Sequence, residues 1–498
     1  MLEINHTLID EFRNSWGNSQ NKSQIAIEGL EEKISYPDLF FQVGKIAGAL
    51  RALGVKKNDR VAVAIERSPA QALHILGCMV AGACPCPFEP QLGREEVERR
   101  FAITKIKWLL FDNNSSLDQA FEGLVEVKKV NIHTLQGAET FWATDILLDD
   151  PGFLLFTSGS SGKPKGVLLS HRGILTNATG IVRSSNISKL DRFLHVMPLH
   201  HTNGVNNQLF APLIAGATIC FAPRFSPSHM PDLMEKFQPT VVTGVPTMYS
   251  RLLNIEFSKT SLENLRILRC GSAPITEELH KKVESKFGCP LAISYGLSEA
   301  TCTSTLNPFD KRKLGSVGKV LDGQEVFLDA SRGGGSDGSG EICIGGPSLM
   351  MGYLDESSNG MPFSPGSILH TGDIGRFDSE GYLYITGRIK EVIIRGGENL
   401  SPNLIEEVIS AIDGVQAVCV IGKEDFDLGE VPIAFIVKNQ SFSGENLTNE
   451  ILDREILQKL SYIHKPVEYF FVKSLPENSV GKVDRKSLKK MFADKKEF

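Results

Sequence analysis

The stretch Phe153-Leu-Leu-Phe-Thr-Ser-Gly-Ser-Ser-Gly-Lys-Pro-Lys-Gly-Val-Leu-Leu169 places a loop of glycine, serine and lysine between two apolar runs. Such a loop is either a flexible linker or a phosphate-binding segment. It is not a Walker A motif, because only two serines separate its first two glycines and a proline follows its first lysine. Its chemistry still suits phosphate, since glycines let backbone N–H groups approach closely, hydroxyls donate hydrogen bonds and lysine adds countercharge. We therefore expect a clamp over a polyphosphate tail.

Length and composition indicate a multidomain globular enzyme without nucleic-acid or membrane partners. The chain has 498 residues, which is too long for one hydrophobic core. Its formal net charge of −6 comes without a block of basic residues. The N-terminus lacks the pattern of a signal peptide, and the apolar runs are too short or broken to insert into a membrane. Nine cysteines occur without a CxxC pair, and Cys84-Pro-Cys86 reads as a buried strand edge. We expect a cytoplasmic protein with reduced thiols.

The alternation of apolar runs and helical patterns predicts an α/β fold with largely parallel sheets. Val61–Ile65 reads as a strand that precedes a helix, and Thr276 and Gly288 have the types expected for the two caps of another helix. After Gly323 the pattern becomes β-rich. A smaller α+β unit follows, whose first helix starts at Ser401-Pro402 and is predicted to have a core face of Leu404, Ile405, Val408 and Ile412.

These patterns predict two domains. Residues 1–389 form a large N-terminal domain of layered α/β subdomains plus a β-rich subdomain. Residues 390–498 form a small, mobile α+β C-terminal domain.

The loop Thr157-Ser-Gly-Ser-Ser-Gly-Lys-Pro-Lys-Gly166 resembles the phosphate loop of the adenylate-forming superfamily, which includes acyl-CoA synthetases, amino-acid adenylation domains and beetle luciferases. Further motifs of that family follow in the family's order across nearly the whole chain. The resemblance implies that the ATP phosphates contact Thr157, Ser158, Gly159, Ser160, Ser161, Gly162 and Lys165.

Three of these motifs imply the nucleotide site. Gly271-Ser-Ala-Pro274 matches the adenine segment, and Tyr295-Gly-Leu-Ser-Glu299 is similar to the family's Tyr-Gly-x-Thr-Glu. His370-Thr-Gly-Asp-Ile374 and Gly387-Arg388 look like the ribose clamp, which assigns Asp373 and Arg388 to the sugar. By resemblance, AMP contacts Gly271, Ser272, Ala273, Pro274, Ser294, Tyr295, Gly296 and Ser298, while Glu299 and Thr157 hold Mg²⁺.

The remaining motifs imply the acyl pocket and the thiol path. By resemblance, Pro198-Leu-His-His-Thr-Asn-Gly204 places His201 at the pocket wall and counts it, with Lys482, among the catalytic residues, although a packed core histidine is the alternative. We expect the pocket to use His201, Asn206, Asn207, Thr243 and Val245. In the small domain, Lys390 matches the hinge, Lys482 matches the catalytic lysine, and the CoA tunnel is assigned to Arg395, Gly396, Gly397 and Glu398.

The resemblance implies an ATP-dependent acid:CoA ligase that uses Mg²⁺, ATP and CoA on a carboxylic acid. The alternative is an adenylating enzyme that loads the phosphopantetheine thiol of a carrier protein. Met197–Gly204 contains no acid to bind an α-amine, which disfavours amino-acid substrates. The asparagines of this region favour a polar or small-to-medium acid over a long tail. We expect a monomer or homodimer.

Overall fold

The structure is a computed structural model that describes residues 4–17, 23–89, 92–112, 121, 126–135, 139–157, 164–333, 338–354, 366–396, 398–439, 447–477 and 483–494, with residues 398 and 399 described by their backbone alone. Within these ranges the strands, in chain order, are β1 (Ile25–Glu28), β2 (Lys33–Ser35), β3 (Arg60–Ala64), β4 (Cys84–Pro87), β5 (Trp108–Phe111), β6 (Lys128–Asn131), β7 (Pro151–Thr157), β8 (Lys165–Ser170), β9 (Arg192–His195), β10 (Thr218–Phe221), β11 (Val241–Gly244), β12 (Ile267–Cys270), β13 (Leu291–Tyr295), β14 (Thr305–Leu306), β15 (Lys319–Val320), β16 (Glu325–Asp329), β17 (Gly340–Gly345), β18 (Gly352–Leu354), β19 (Leu369–Phe377), β20 (Leu383–Arg388), β21 (Ile393–Arg395), β22 (Glu398–Leu400), β23 (Val415–Asp425), β24 (Gly429–Lys438) and β25 (Glu468–Val472).

The α-helices of the same ranges are α1 (Leu8–Gly17), α2 (Tyr36–Ala52), α3 (Pro69–Val80), α4 (Arg94–Thr104), α5 (His171–Ser184), α6 (Ala211–Ile214), α7 (Met230–Phe237), α8 (Pro246–Leu252), α9 (Lys259–Leu262), α10 (Glu277–Phe287), α11 (Pro402–Ser410), α12 (Asn449–Lys459) and α13 (Arg485–Ala493). A π-helix, Asn203–Phe210, runs directly into α6. No helix in the described ranges combines the length and the apolar character needed to cross a bilayer.

Two parallel sheets form the centre of the large N-terminal part. One sheet has nine strands in the order β15-β14-β13-β12-β11-β9-β10-β1-β2, and its six inner strands from β13 to β1 are parallel. The other sheet has the order β4-β3-β5-β6 and is parallel throughout. Helices α2 and α3 pack between the two sheets, where Leu39, Val61, Ile75 and Ile219 share one core. The predicted α/β layering with largely parallel sheets is confirmed.

Antiparallel sheets make up the β-rich part of the fold. The hairpin β7–β8 extends through β18 into a three-stranded sheet, and β16, β17, β19 and β20 form a four-stranded sheet. The predicted pairing around Val326 and Ile344 is confirmed, because these two residues lie opposite each other. Residues 334–337 at the tip of that hairpin lie outside the described residues.

The last five strands form a separate sheet, with β25 alongside the long β23–β24 hairpin. Alternate residues of β24 face opposite sides, as the period of two requires. Ala434 and Ile436 pack against α11 and α12, whereas Ile433 and Phe435 pack on the side of α13. This arrangement is the α+β unit that the sequence predicts after residue 390.

Cap predictions agree with the structure, and one core assignment is wrong. The side chain of Thr276 accepts from the Leu279 N–H at the start of α10, and Gly288 ends that helix with a φ of +66°. In α11, however, Leu404 is exposed while Ile409 is fully buried. The error arose because Leu404 and Ile409 both fit a helical spacing of apolar residues. Which of the two is buried depends on how α11 packs against the sheet.

Candidate active site

A cavity of about 1930 Å³ opens at the carboxyl ends of the parallel strands β11, β12 and β13. Ligands of open α/β sheets bind at this edge, because the loops that follow the strands converge there. The residues lining the cavity come from these loops, from β19 and β20 of the antiparallel sheet, and from α11 and α13 of the small unit. The cavity therefore collects the sequence motifs from distant parts of the chain.

The loops after β12 and β13 form one wall, and all eight residues predicted to contact AMP line it. Glycine is needed at two of these positions. A Cβ on Gly271 would lie 2.7 Å from the Ser294 hydroxyl oxygen, and one on Gly296 would lie 1.9 Å from the Cys302 carbonyl oxygen. Ser272 has a φ of +69°, a conformation that non-glycine residues adopt rarely and mostly at constrained turns. This wall leaves room for a flat group against the backbone.

Tyr295, Asp373 and Arg388 form a connected polar cluster in the cavity. The Tyr295 hydroxyl donates to Asp373 Oδ2 at 2.7 Å, and Arg388 Nε donates to Asp373 Oδ1. Register explains the second contact, because Asp373 on β19 lies directly opposite Arg388 on β20. Burial raises the pKa of Tyr295 well above its usual value, and the nearby Asp373 carboxylate adds to this shift. Asp373 is thus held in place as an acceptor for hydroxyl donors.

The phosphate end of the site is anchored by the β7–β8 hairpin. Thr157 at the end of β7 lies opposite Lys165 at the start of β8. Lys165 Nζ is 4.8 Å from the centre of the Tyr353 ring, and the Tyr353 hydroxyl donates to Glu299 Oε1 at 2.8 Å. Ser158, Gly159, Ser160, Ser161 and Gly162 lie outside the described residues. The ends of the loop are therefore placed beside Glu299.

The oxygen ligands at this end fit a magnesium ion. Both Thr157 and Glu299 line the cavity. The Thr157 hydroxyl oxygen is buried and has no hydrogen-bond partner among the described residues. Mg²⁺ prefers hard oxygen ligands such as carboxylates, together with substrate phosphates. A buried hydroxyl without a partner beside a carboxylate is consistent with such an ion.

The π-helix Asn203–Phe210 forms the opposite wall. π-Helical segments are rare and occur mostly at functional sites. Its geometry depends on Gly204, since a Cβ there would lie 2.0 Å from the Pro198 carbonyl oxygen. His201, Asn207 and Val245 line the cavity, as predicted from the motif. The ring of His201 lies 4.5 Å from that of His200, centre to centre.

Two other residues predicted for the acyl pocket, Asn206 and Thr243, lie behind this wall. Asn206 Nδ2 donates to Asn177 Oδ1 at 2.7 Å, and Asn177 in turn donates to the Thr303 carbonyl oxygen. Asn206 thus ties the π-helix to the chain after β13. Thr243 is 3% exposed within β11. Both residues stay a prediction for the acyl pocket; the side-chain direction of Asn206 was not predictable, because a π-helix does not follow the usual helical period.

A buried histidine supports the π-helix from below. His195 Nε2 lies 3.0 Å from the Gly204 carbonyl oxygen, and its Nδ1 lies 2.8 Å from Arg67 Nη2. Since Arg67 can only donate, Nδ1 must accept and the proton must reside on Nε2. Burial, with Arg67 adding to it, holds the pKa of His195 well below its usual value. The imidazole is therefore neutral.

The small unit closes the cavity with α11 and α13. Glu406, Glu407 and Arg485 line it, and both Glu406 carboxylate oxygens accept from Arg485 Nη2 at 2.5 Å. Across the opening, Arg251 Nη2 on α8 donates to Glu477 Oε2 at 2.9 Å. Glu477 and Val483 pair with each other, whereas Lys482 between them lies outside the described residues. Val483, which directly follows Lys482 in the chain, lines the cavity.

Of the predicted CoA-tunnel residues, Arg395 and Gly396 do not line the cavity in this arrangement. Arg395 Nη1 donates to the carbonyl oxygens of Ile463 and Lys465 within the small unit. Gly396 has a φ of +58° in the turn between β21 and β22, and Gly397 lies outside the described residues. Glu398 is placed by its backbone opposite Arg395. Lys390 is exposed just after β20. Of the small unit, Val483 and Arg485 line the cavity instead.

Several residues around the cavity were not predicted. Arg269, Cys302 and Thr303 surround Asn207, while Arg251 and Glu477 join the two parts of the chain. One signal for Arg269 was available, because an arginine within an apolar strand pattern is unusual. The others could not be found, since their roles depend on which loops meet.

Comparisons with known proteins agree with this geometry. A model of the AMP-binding enzyme family matches residues 14–354, and a model of the AMP-binding enzyme C-terminal domain matches residues 404–482. The chain is 30% identical over 478 residues to the 2-succinylbenzoate–CoA ligase of Bacillus subtilis, covering 94% of this chain and 95% of that protein. It is also 30% identical over 501 residues to the indoleacetate–CoA ligase of Aromatoleum aromaticum, covering 95% and 96%.

A solved structure shows the same fold. ATP-bound MatB from Rhodopseudomonas palustris superimposes with a TM-score of 0.89 at 28% identity, covering 98% of this chain and 100% of that one. Family models that together span most of the chain, and a cavity built from the family's motifs, lead to one conclusion. The chain belongs to the AMP-binding enzyme family.

Proposed function

We propose that this protein is an ATP-dependent acid:CoA ligase, which forms an acyl-adenylate with release of pyrophosphate and then transfers the acyl group to the CoA thiol. One observation carries the proposal. The cluster of Tyr295, Asp373 and Arg388 shares a single cavity with the wall that carries His201 and Asn207. A nucleotide and an acid bound at these two places would meet between them. The relatives named above are CoA ligases, which supports CoA as the thiol.

In the first half-reaction a carboxylate oxygen of the acid attacks the α-phosphorus of ATP, and the bond to the bridging oxygen of the β-phosphate breaks. Because two anions must approach, the barrier is largely electrostatic. We assign Asp373 and Arg388 to the ribose, Lys165 and the loop that follows Thr157 to the departing phosphates, and Lys482 to the carboxylate and α-phosphate oxygens. Mg²⁺, held by Glu299 and Thr157, supplies charge neutralisation of the phosphates.

In the second half-reaction the CoA sulfur attacks the acyl carbon, and the bond from that carbon to the phosphate oxygen breaks. AMP leaves with the electron pair, and the thiol proton passes to solvent. Lys482 has no role in this step and the thiol needs an entry path, so we infer that the small domain, residues 390–498, turns about Lys390 between the two half-reactions. That rotation would bring Arg395, Gly396, Gly397 and Glu398 to the cavity to line the tunnel.

The alternative acceptor is a carrier-protein phosphopantetheine thiol, which would enter by the same path. A product assay separates the two. Purified protein with ATP, Mg²⁺ and a panel of acids should release pyrophosphate with at least one acid, and addition of free CoA should then yield AMP and acyl-CoA. Thioester formation only with a phosphopantetheinylated carrier would contradict the CoA assignment. Release of ADP and inorganic phosphate, or no acid-dependent release of pyrophosphate, would contradict the ligase itself.

A further inference from the structure

Arg269 is a buried cation without a counterion. It is 1% exposed, and only its Nη2 has a hydrogen bond, donated to Asn207 Oδ1 at 3.2 Å. Nε and Nη1 are buried and have no partner among the described residues, where no acidic side chain forms an ion pair with it either. Burying guanidinium N–H groups without protein acceptors is costly, because the buried atoms lose hydrogen bonds to bulk water. An anionic group of a ligand would satisfy these two donors.

The position of Arg269 identifies where that partner would be. Residues of β12 alternate between the two faces of the sheet, and Leu268 and Cys270 pack into the core beneath α8 and α10. Arg269 therefore points to the other face, where the π-helix lies. It sits directly behind Asn207, which lines the cavity together with Cys302 and Thr303. The cation lies one side chain below the floor of the proposed acyl pocket.

The floor itself is arranged around this cation. Asn207 Oδ1 accepts from Arg269 and also from the Thr303 hydroxyl at 3.2 Å. Asn207 Nδ2 donates to Asn203 and to Cys302 Sγ. The Asn207 amide oxygen thus occupies a position where an anionic oxygen would accept stronger hydrogen bonds from Arg269 and from the Thr303 hydroxyl. Burial lowers the pKa of Arg269 to about 10, so the side chain remains cationic at neutral pH.

We propose that the acid carries a second anionic group, a carboxylate or a sulfonate, at the end away from the reacting carboxylate, and that Arg269 with Thr303 recognises it. On binding, this group replaces the Asn207 oxygen as acceptor, with the Asn207 side chain turning aside. The substrate class is therefore a short dianionic acid. This inference rests on the proposed ligase function. The relatives' names do not decide it, because 2-succinylbenzoate carries two carboxylates and indoleacetate carries one.

Matched pairs of acids test the inference in the wild-type protein. Pyrophosphate release is measured with malonate and sulfoacetate against propionate, succinate against butyrate, and glutarate against pentanoate. We expect one dianion to exceed its monoanionic counterpart by at least roughly 100-fold in kcat/KM, because a site built to bind a polar group rejects analogues that lack it. The malonate and sulfoacetate arms separate carboxylate from sulfonate recognition. Equal or better use of the monoanions would overturn the inference while leaving the ligase function intact.

Variants test whether Arg269 reads the second anion or merely supports Asn207. Arg269→Met keeps the volume and removes the charge, and should lower kcat/KM for the dianion by about 100-fold with the monoanion changed less than about threefold. Arg269→Lys should retain part of the preference. Equal losses for both acids would show a structural role and overturn the inference. If Arg269→Met does not fold, a thermal shift of the wild type with the dianion but not the monoanion decides.

These outcomes are separable from failure of the proposed function. If no acid of either kind releases pyrophosphate, the ligase proposal and the inference fall together. If monoanions alone are adenylated, only the inference falls. Retention of the ATP-induced thermal shift in Arg269→Met would show that the nucleotide half of the cavity is intact.

Discussion

At the scale of single residues, the cluster of Tyr295, Asp373 and Arg388 makes the most direct claim. Its aspartate is 4% exposed and already holds two donors, so it is fixed before any ligand arrives. Preorganised acceptors of this kind add affinity because little ordering remains to be done on binding. The ribose hydroxyls of ATP are the donors that we assign to it.

Asp373→Asn should weaken ATP use with little effect on the acid. The amide keeps the shape but loses the charge, and hydrogen bonds to charged groups contribute about 1.5–3 kcal/mol. We expect kcat/KM for ATP to fall by roughly 10- to 150-fold, mainly through KM. Steady-state kinetics with ATP varied measures this. Asp378→Asn is the matched control, because Asp378 lies in the turn of the same β19–β20 hairpin, outside the cavity, and forms an ion pair with Lys313. This variant should leave KM for ATP unchanged.

Residues of the candidate site could be predicted where a sequence motif specifies them, but not where their position depends on contacts between distant parts of the chain. Tyr295, Asp373 and Glu299 were predicted because the segments that carry them resemble motifs of the adenylate-forming superfamily, and all three line the cavity. Asn206 was assigned to the pocket but faces Asn177 instead. Arg269 was overlooked although an arginine within an apolar strand is unusual, and only the contacts in the fold show which of its N–H groups are satisfied.

At the scale of elements, the π-helix Asn203–Phe210 shapes the cavity wall that includes Asn207. The sequence predicted a functional segment here but not its conformation, since i to i+5 hydrogen bonding leaves no signature in residue spacing. The caps of α10 and the order of strands and helices were predictable, because capping and periodicity are local. The close packing of Gly204 against the Pro198 carbonyl explains why the segment can follow this path.

Gly204→Ala should disrupt this element. A methyl group 2.0 Å from a backbone oxygen forces the backbone to move, at a cost of about 1–3 kcal/mol. We expect a lower melting temperature and a reduced kcat/KM for the acid, measured by thermal denaturation and pyrophosphate release. Gly93→Ala is the control, because a Cβ there meets no atom within 4 Å. Wild-type behaviour of Gly204→Ala would show that the wall is not held by this contact.

The glycine turn between β21 and β22 yields an element-scale prediction for the thiol path. Gly397→Leu should slow thioester formation from supplied acyl-adenylate and CoA by at least roughly 10-fold, because a bulky side chain narrows the tunnel. Adenylation should remain near the wild-type rate, since Arg395 and Gly396 do not line the cavity. Unchanged thioester formation would remove Gly397 from the CoA path.

At the scale of the whole molecule, buried neutral histidines couple stability to pH. Burial lowers the pKa of His171 to about 4 and holds the pKa values of His195 and His200 well below the usual value. The unfolded chain binds these protons near pH 6.5. Between about pH 6.5 and about pH 4 the unfolded state therefore binds more protons, and the free energy of unfolding decreases as the pH falls.

His171→Leu should remove part of this pH dependence. Between neutral pH and about pH 5, protonation of His171 in the unfolded state lowers the free energy of unfolding of the wild type by about 2 kcal/mol. We expect the melting temperature of the variant to decrease less than that of the wild type when the pH is lowered from about 7.5 to about 5. An equal decrease in both proteins would show that His171 does not contribute.

An exposed ion pair connects the large N-terminal part of the chain with the small C-terminal part. Arg251 and Glu477 join them with side chains 52% and 38% exposed, so this ion pair adds little stability and is easily broken. Such a weak connection would allow the rotation that we propose for the small domain. The two-domain organisation was predictable from composition and motif order, whereas the orientation of the small domain follows only from contacts between distant loops.

The most direct test of the central claim measures the two half-reactions separately in Lys482→Ala. If one site adenylates an acid with Lys482 and then passes the acyl group to CoA without it, pyrophosphate release should fall by at least roughly 1000-fold, as for loss of a transition-state electrostatic group. Thioester formation from supplied acyl-adenylate and CoA should stay within about threefold of the wild type. Equal loss of both half-reactions, or full adenylation by the variant, would contradict the account.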